Sequence, residues 1–285
     1  MASVLFIVWR ESLEAVLIIG ILYAYLMRFP HGRQGLKFLW GGISGGIGLS
    51  VLLALATLHI QDDLQGQRLQ YFQTGMLLVA AALMTQMVLW MHKYGHTLKR
   101  NLESDMDKAL SSGRLLGVSV VALLAVAREG AETVLYLYSL GLEHKSGGLI
   151  AMFGAAVTGF VLALVTAWVV SKGVRFLSYR TFFRVTGIIL LFAAAGLLMS
   201  GVSNLIGMGV LPALMEPIWN TSIILDSNSR VGAIVAALTG YRSQPSLMLV
   251  LFYALYWTAA LGWMKWRRGA PTRMREESQP SRSSA

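Results

Sequence analysis

The stretch Val8-Trp9-Arg10-Glu11-Ser12-Leu13-Glu14-Ala15-Val16 sets three charged side chains within an apolar segment. Its pattern, R-E-x-x-E, returns inside a second apolar segment at Arg128-Glu129-Gly130-Ala131-Glu132. An ionised side chain at the centre of a bilayer costs about 2.5–3.5 kcal/mol on insertion scales, so these charges must face a partner or a water-filled cavity. Both patterns are therefore candidate functional sites. The first triad is Arg10, Glu11 and Glu14, and the second triad is Arg128, Glu129 and Glu132.

The composition of the whole chain indicates a membrane protein. Hydrophobic residues make up 55% of the 285 residues and charged residues only 13%, with a mean hydropathy of +0.60, which is unlike a soluble domain. The absence of Cys excludes disulfides and thiolate ligands, so a metal site would use oxygen or imidazole. The net charge of +10 would favour nucleic acid in a soluble protein, but here we interpret it as a topology signal and expect no nucleic-acid partner.

Seven apolar segments have the roughly 20 residues that a membrane span needs. A further segment, 92–114, has the pattern of an amphipathic helix. The tail 269–285 is rich in Arg, Ser, Pro and Glu and is predicted to be disordered, so the membrane domain is predicted to be residues 1–268. The role of the long connection 201–245 stays open between a packed cap and a re-entrant segment. The predicted spans are 4–27, 39–58, 72–91, 115–139, 148–171, 184–204 and 246–264.

The basic residues are distributed unequally between the two sets of connections. Eighteen of the 24 Lys and Arg residues lie in alternate connections and after the last predicted span, against four in the other connections. Because basic loops stay in the cytoplasm, we predict an external N-terminus and a cytoplasmic C-terminus. The four on the external side are Arg68, Lys145, Arg230 and Arg242.

The chain also contains an internal repeat of three predicted helices. Besides the two triads, the stretch from Thr74 to Ala82 in the third span echoes that from Thr186 to Ala194 in the sixth. Since three is odd, the second copy enters the membrane from the opposite side. The predicted fold is therefore an all-α polytopic membrane protein of seven transmembrane helices, arranged as 3+3 inverted repeats plus one, which is typical of transporters with a site at the repeat interface.

Each triad offers paired carboxylates to a cation. On a helix, Glu11 and Glu14 are about 4.5 Å apart along the axis and share a face, and the second triad repeats this arrangement. If the two helices pack together, Glu11, Glu14, Glu129 and Glu132 form a cluster of hard oxygen ligands suited to iron, manganese, calcium or magnesium. Arg10 and Arg128 would offset the repulsion between them. Weaker candidates are Tyr136 and Gln86, near the site, and the external acidic patch of Asp62 and Asp63.

The triads also allow other hypotheses about their role. Each could be a salt-bridge ladder that orients two helices in a non-transport scaffold, or a relay of protons. A carboxylate-bridged di-iron enzyme would need Glu-x-x-His on its helices, whereas all histidines fall outside the predicted spans. The histidines are His31, His59, His92, His96 and His144.

At these motifs the chain resembles the oxidase-dependent iron permeases, the seven-span high-affinity iron permeases of fungi and bacteria. The hallmark of that family is R-E-x-x-E in the first and fourth helices. The stretches Leu102 to Leu110 and Gly240 to Pro245 are similar to the bacterial branch, and the resemblance extends to about residue 264. Ser12 stands where the family usually has Gly, at a position that supplies no ligand.

The resemblance implies a permease of the plasma membrane, the inner membrane in bacteria, and not an enzyme. Iron would be the transported substrate, bound by Glu11, Glu14, Glu129 and Glu132, with no permanently bound cofactor. The partners would be the lipid bilayer and an external oxidase, peroxidase or iron-binding protein. Some members are linked to lead, so a transporter for lead or manganese is the alternative, alongside the scaffold.

Overall fold

A computed structural model describes residues 2–28, 32–94, 98–111, 116–143, 149–171, 179–227 and 229–268. In those ranges the regular structure is entirely helical. The tail 269–285 lies outside the described residues. The helices are α1 (Ala2–Leu26), α2 (Gly32–Asp63), α3 (Gly66–Tyr94), α4 (Leu98–Ser111), α5 (Leu116–Glu143), α6 (Leu149–Ser171), α7 (Tyr179–Gly207), α8 (Arg230–Thr239) and α9 (Leu247–Arg268).

Long helices account for all seven predicted spans. Within the described ranges, α2, α3, α6, α7 and α9 are long and apolar enough to cross a membrane. The other two, α1 and α5, have 25 and 28 residues, but every 18-residue stretch of either contains a whole triad. Their charge therefore lies at mid-helix. His59 and His92, expected in connections, instead lie near the ends of α2 and α3.

The short helix α4 confirms the amphipathic pattern. Its Met106 is fully buried, and Leu102 packs in the same apolar cluster, against residues of α1 and α5. On its exposed side, Glu103 pairs with Arg28 after the end of α1, at 3.3 Å. The helix thus packs against one end of the α1–α5 pair.

The most extensive packing joins each of the first three helices to a helix of residues 116–207. The helix pairs with the most extensive packing are α2 with α5, α1 with α6 and α3 with α7. Along α2, Gly42 lies against Ser119 and Gly46 against Leu123, so residue numbers increase together and α2 and α5 are parallel. In contrast, Gly187 of α7 lies against Val88 of α3, whereas Gly201 lies against Leu78. The helices α3 and α7 are therefore antiparallel.

Two apolar clusters enclose the triads from either end. On α1, Val8 belongs to one cluster and Ile18 to the other, with the first triad between them. On α5, Val126 belongs to the second cluster and Tyr136 to the first. In chain order, the first cluster precedes the triad on α1 but follows it on α5. The two helices therefore run in opposite directions, and their triads lie at the same height between the clusters.

The close approach of α2 to α5 depends on glycines. A Cβ added to Gly42 would collide with the backbone carbonyl of Ser119, whereas one added to Gly48 would meet nothing within 4 Å. We expect Gly42→Ala to lower the free energy of unfolding by about 1–3 kcal/mol through overpacking, measured as a fall in the melting temperature of the purified protein. Gly48→Ala is the matched control, and equal melting temperatures for both variants would contradict this packing.

Residues 201–207 of the predicted connection 201–245 belong to α7, and the rest folds back along that helix. Ser229 caps α8 by accepting a hydrogen bond from the Gly232 N–H, and α8 ends at Gly240 with a left-handed φ of 75°. Gly240 lies against Ala195, whereas α7 continues to Gly207. At 1.5 Å per residue this is a depth of about 18 Å along α7. The geometry favours the re-entrant alternative over a cap.

Candidate metal site

All three residues of the first triad are buried. Arg10 Nη1 lies 2.6 Å from Glu11 Oε1, and Arg10 Nη2 lies 2.6 Å from Glu14 Oε1. The Arg10 side chain is only 2% exposed, and it also donates to Met87 Sδ of α3 at 3.1 Å. One guanidinium fork therefore holds both carboxylates of its own helix.

The second triad is more open. Arg128 Nε donates to Glu132 Oε1 at 3.1 Å, while its side chain is 50% exposed. The guanidinium carbon of Arg128 lies 5.3 Å from the centre of the Trp90 ring, a distance suited to a cation–π contact. The Tyr136 hydroxyl donates to the other oxygen of Glu132, Oε2, at 3.3 Å. Arg128 thus holds one of the two carboxylates of its helix.

Three carboxylates from the two helices converge. Glu11, Glu129 and Glu132 are all buried, and each offers an oxygen within 4.8 Å of the others. We call them the carboxylate cluster. Within the cluster, Glu11 Oε2 and Glu129 Oε2 are buried without a hydrogen-bond partner. Buried polar atoms rarely stay unpaired, so two oxygens from opposite helices are left for a ligand, and hard oxygen donors suit a hard or borderline cation.

Glu14 differs from the other three predicted ligands. It is buried but lies outside the carboxylate cluster, because Arg10 holds its carboxylate one helical turn from Glu11. Sequence spacing treats the two triads as equivalent. The structure instead brings together one carboxylate of the first triad and both of the second.

The weaker candidates have separate positions. Tyr136 is fully buried and contacts the cluster through Glu132. Gln86 lines a cavity of about 620 Å³ between α3, α7 and α9. Asp62 and Asp63 are exposed at the end of α2, where Asp63 lies 3.7 Å from His59. The acidic patch is therefore on the surface, apart from the cluster.

Sequence reasoning missed two residues of α3 beside the triads. Met87 contacts Arg10, and Trp90 contacts Arg128. Their spacing of three residues puts them on one face of α3, but apolar residues at that spacing also form ordinary helix contacts. Only the packing of α3 against α1 and α5 shows that Met87 and Trp90 contact the arginines.

Comparison with known proteins extends these observations. The iron permease FTR1 family matches residues 1–268. The protein named ferrous iron permease EfeU of Yersinia pestis is 30% identical over 257 residues, covering 90% of this chain and 90% of that protein. The protein of the same name from Escherichia coli O6:H1 is 29% identical over 262 residues, covering 90% and 92%. No solved structure matches this chain.

Proposed function

Since this chain belongs to the iron permease FTR1 family, we propose that it imports iron across the plasma membrane through the carboxylate cluster. We place this transporter in the inner membrane, because its relatives are bacterial iron permeases and five of its described helices are long and apolar enough to cross a membrane. The observation that carries the proposal is the meeting of three buried carboxylates from two helices, with two oxygens unpartnered. Iron is the transported substrate, and the proposal includes no resident cofactor.

The charge balance supports a cation as the missing partner. The two triads together contain four Glu and two Arg, so their formal charge is negative when all are ionised. A divalent cation at the cluster would neutralise that excess, which in a low-dielectric interior is worth more than in water. A purely structural ladder has no need of acids in excess of bases, and it would leave no buried carboxylate oxygen unpaired.

Two kinds of role follow for the six residues. Glu11, Glu129 and Glu132 form the site where the ion first binds between the two helices. We keep Glu14, which pairs with Arg10 one helical turn from Glu11, as a fourth ligand. Arg10 and Arg128 stabilise the carboxylates while no ion is bound, because each guanidinium offsets like-charge repulsion. The relatives are named ferrous iron permeases, and for this chain we propose Fe²⁺ as the form bound.

The function is tested with purified protein in sealed vesicles that contain an iron-sensing dye. We expect Fe²⁺, kept reduced by ascorbate, to enter faster than Fe³⁺-citrate, Pb²⁺ or Mn²⁺. Protein-free vesicles and vesicles with the Glu129→Gln variant set the background. Fe²⁺ entry no faster than in protein-free vesicles would overturn the proposal, and faster entry of Pb²⁺ or Mn²⁺ would assign the site to that ion.

We also propose the membrane topology of seven spans, 3+3 inverted repeats plus α9, with the N-terminus outside. The parallel α2–α5 pair, the antiparallel α3–α7 pair and the reversed cluster order on α1 and α5 support it. The excess of basic residues in alternate connections supports the orientation.

The absence of Cys allows a direct topology test with single cysteines. We expect Gln65→Cys, between α2 and α3, to react with a membrane-impermeant maleimide added to intact cells. Lys265→Cys, near the end of α9, should react only after the membrane is opened. Labelling of both variants from the same side would contradict the inverted arrangement.

A further inference from the structure

One helix outside the triads contacts both of their arginines. On α3, Met87 Sδ accepts from Arg10 Nη1 at 3.1 Å, and the Trp90 ring lies under Arg128 with its centre 5.3 Å from the guanidinium carbon. In the predicted repeat, α7 is the counterpart of α3. If the two halves made equivalent contacts, Arg128 would therefore contact α7. The described contacts instead give both arginines to α3, so the two triads are not equivalent.

The two arginines differ in how firmly they are held. Arg10 is 2% exposed and pairs with two carboxylates at 2.6 Å, whereas Arg128 is 50% exposed and pairs with one at 3.1 Å. Moving Arg10 would leave two buried carboxylates without their cation. Moving Arg128 would release only Glu132, which belongs to the carboxylate cluster. Arg128 is therefore the arginine whose displacement costs less.

We propose that the incoming iron displaces Arg128 from Glu132, and that Trp90 is the positioning residue that keeps the displaced Arg128 beside the carboxylate cluster. This inference rests on the proposed function. An aromatic face attracts a guanidinium without offering it a carboxylate. Trp90 can thus hold Arg128 while Glu132 turns its oxygen to the ion, and Arg128 returns to Glu132 after the ion leaves.

The surroundings of Trp90 leave room for this exchange. Trp90 lines the cavity of about 620 Å³ between α3, α7 and α9, together with Gln86 and Tyr256. Arg128 is itself 50% exposed, so a guanidinium displaced from Glu132 has open space and the ring face of Trp90 beside it. Without the ring, the low dielectric of the membrane interior would drive Arg128 back onto the nearest carboxylates, where it competes with iron.

The test compares Fe²⁺ uptake kinetics of variants in sealed vesicles. Trp90→Leu is expected to raise the half-saturating Fe²⁺ concentration about three- to tenfold, the range of a modest cation–π contact, with the maximal rate within about twofold of the unmodified protein. Trp90→Phe keeps a ring face and should recover most of the affinity. Trp263→Leu, the same change in the wall of the same cavity, is the matched control and should leave both parameters unchanged.

A double-mutant cycle separates positioning from simple packing. If Trp90 acts through Arg128, then Trp90→Leu should change Fe²⁺ binding to purified protein in the unmodified background but not in the Arg128→Gln background. If Trp90→Leu is not recovered folded, Trp90→Met, which keeps more bulk, takes its place in both measurements.

The outcomes distinguish this inference from the proposed function. An unchanged half-saturating concentration, equal effects of the Leu and Phe variants, or the same loss of affinity in the Arg128→Gln background would overturn the role of Trp90. Those results in vesicles whose unmodified protein imports Fe²⁺ leave the proposed function in place. Failure of the unmodified protein to import Fe²⁺ would overturn both.

Discussion

Glu129→Gln is expected to reduce Fe²⁺ uptake to the level of protein-free vesicles while the protein still inserts and folds. The amide keeps the size of the side chain but removes a ligand charge from the buried carboxylate cluster. Its Oε2 atom is one of the cluster's two buried oxygens without a hydrogen-bond partner, so the substitution breaks no hydrogen bond made by that atom. The measurements are initial uptake rate and the elution profile of the purified protein.

The matched control for this change is Glu103→Gln. Glu103 lies on α4, where it pairs with Arg28 outside the cluster, and its loss should leave uptake near the unmodified rate. We expect Glu11→Gln and Glu132→Gln to behave like Glu129→Gln. Normal uptake by Glu129→Gln would move the iron site elsewhere in the protein.

Arg10→Met should destabilise the protein more than any single change at the carboxylate cluster. It leaves Glu11 and Glu14 buried without their cation, and breaking a buried ion pair by removing one partner costs about 3–5 kcal/mol. The expected result is a large fall in melting temperature and in the yield of folded protein. Arg128→Met should cost clearly less, because the Arg128 side chain is half exposed and pairs with one carboxylate.

A triple variant tests whether this loss is electrostatic. Arg10→Met combined with Glu11→Gln and Glu14→Gln removes the charges together, and we expect it to regain most of the melting temperature without regaining Fe²⁺ uptake. Recovery of uptake by the triple variant would argue for a scaffold role of the first triad. A melting temperature as low as that of Arg10→Met alone would show that packing, not charge, requires the arginine.

Local patterns in the chain were enough to predict much of the fold. Each predicted span coincides with a long helix because continuous apolar length is a local property, set by the thickness of the hydrocarbon region. The amphipathic pattern before α5 likewise became α4, and the echo of Thr74 to Ala82 in the sixth span indicated the repeat. The two R-E-x-x-E motifs marked the candidate site, because charge within an apolar run is costly wherever the helices pack.

Tertiary packing alone decided which of the predicted ligands meet in the carboxylate cluster. Spacing along one helix makes Glu14 equivalent to Glu132, but the approach of α1 to α5 places only Glu132 in the carboxylate cluster. The contacts of Met87 and Trp90 with the arginines, and the depth of Gly240 beside α7, depend on which helix faces meet. These are contacts between residues far apart in the chain, and hydropathy and periodicity carry no information about them. The sequence by itself therefore determined which helices form and where charge enters the membrane, while the packing of α3 and α5 against α1 determined which carboxylates meet and which arginine is left half exposed.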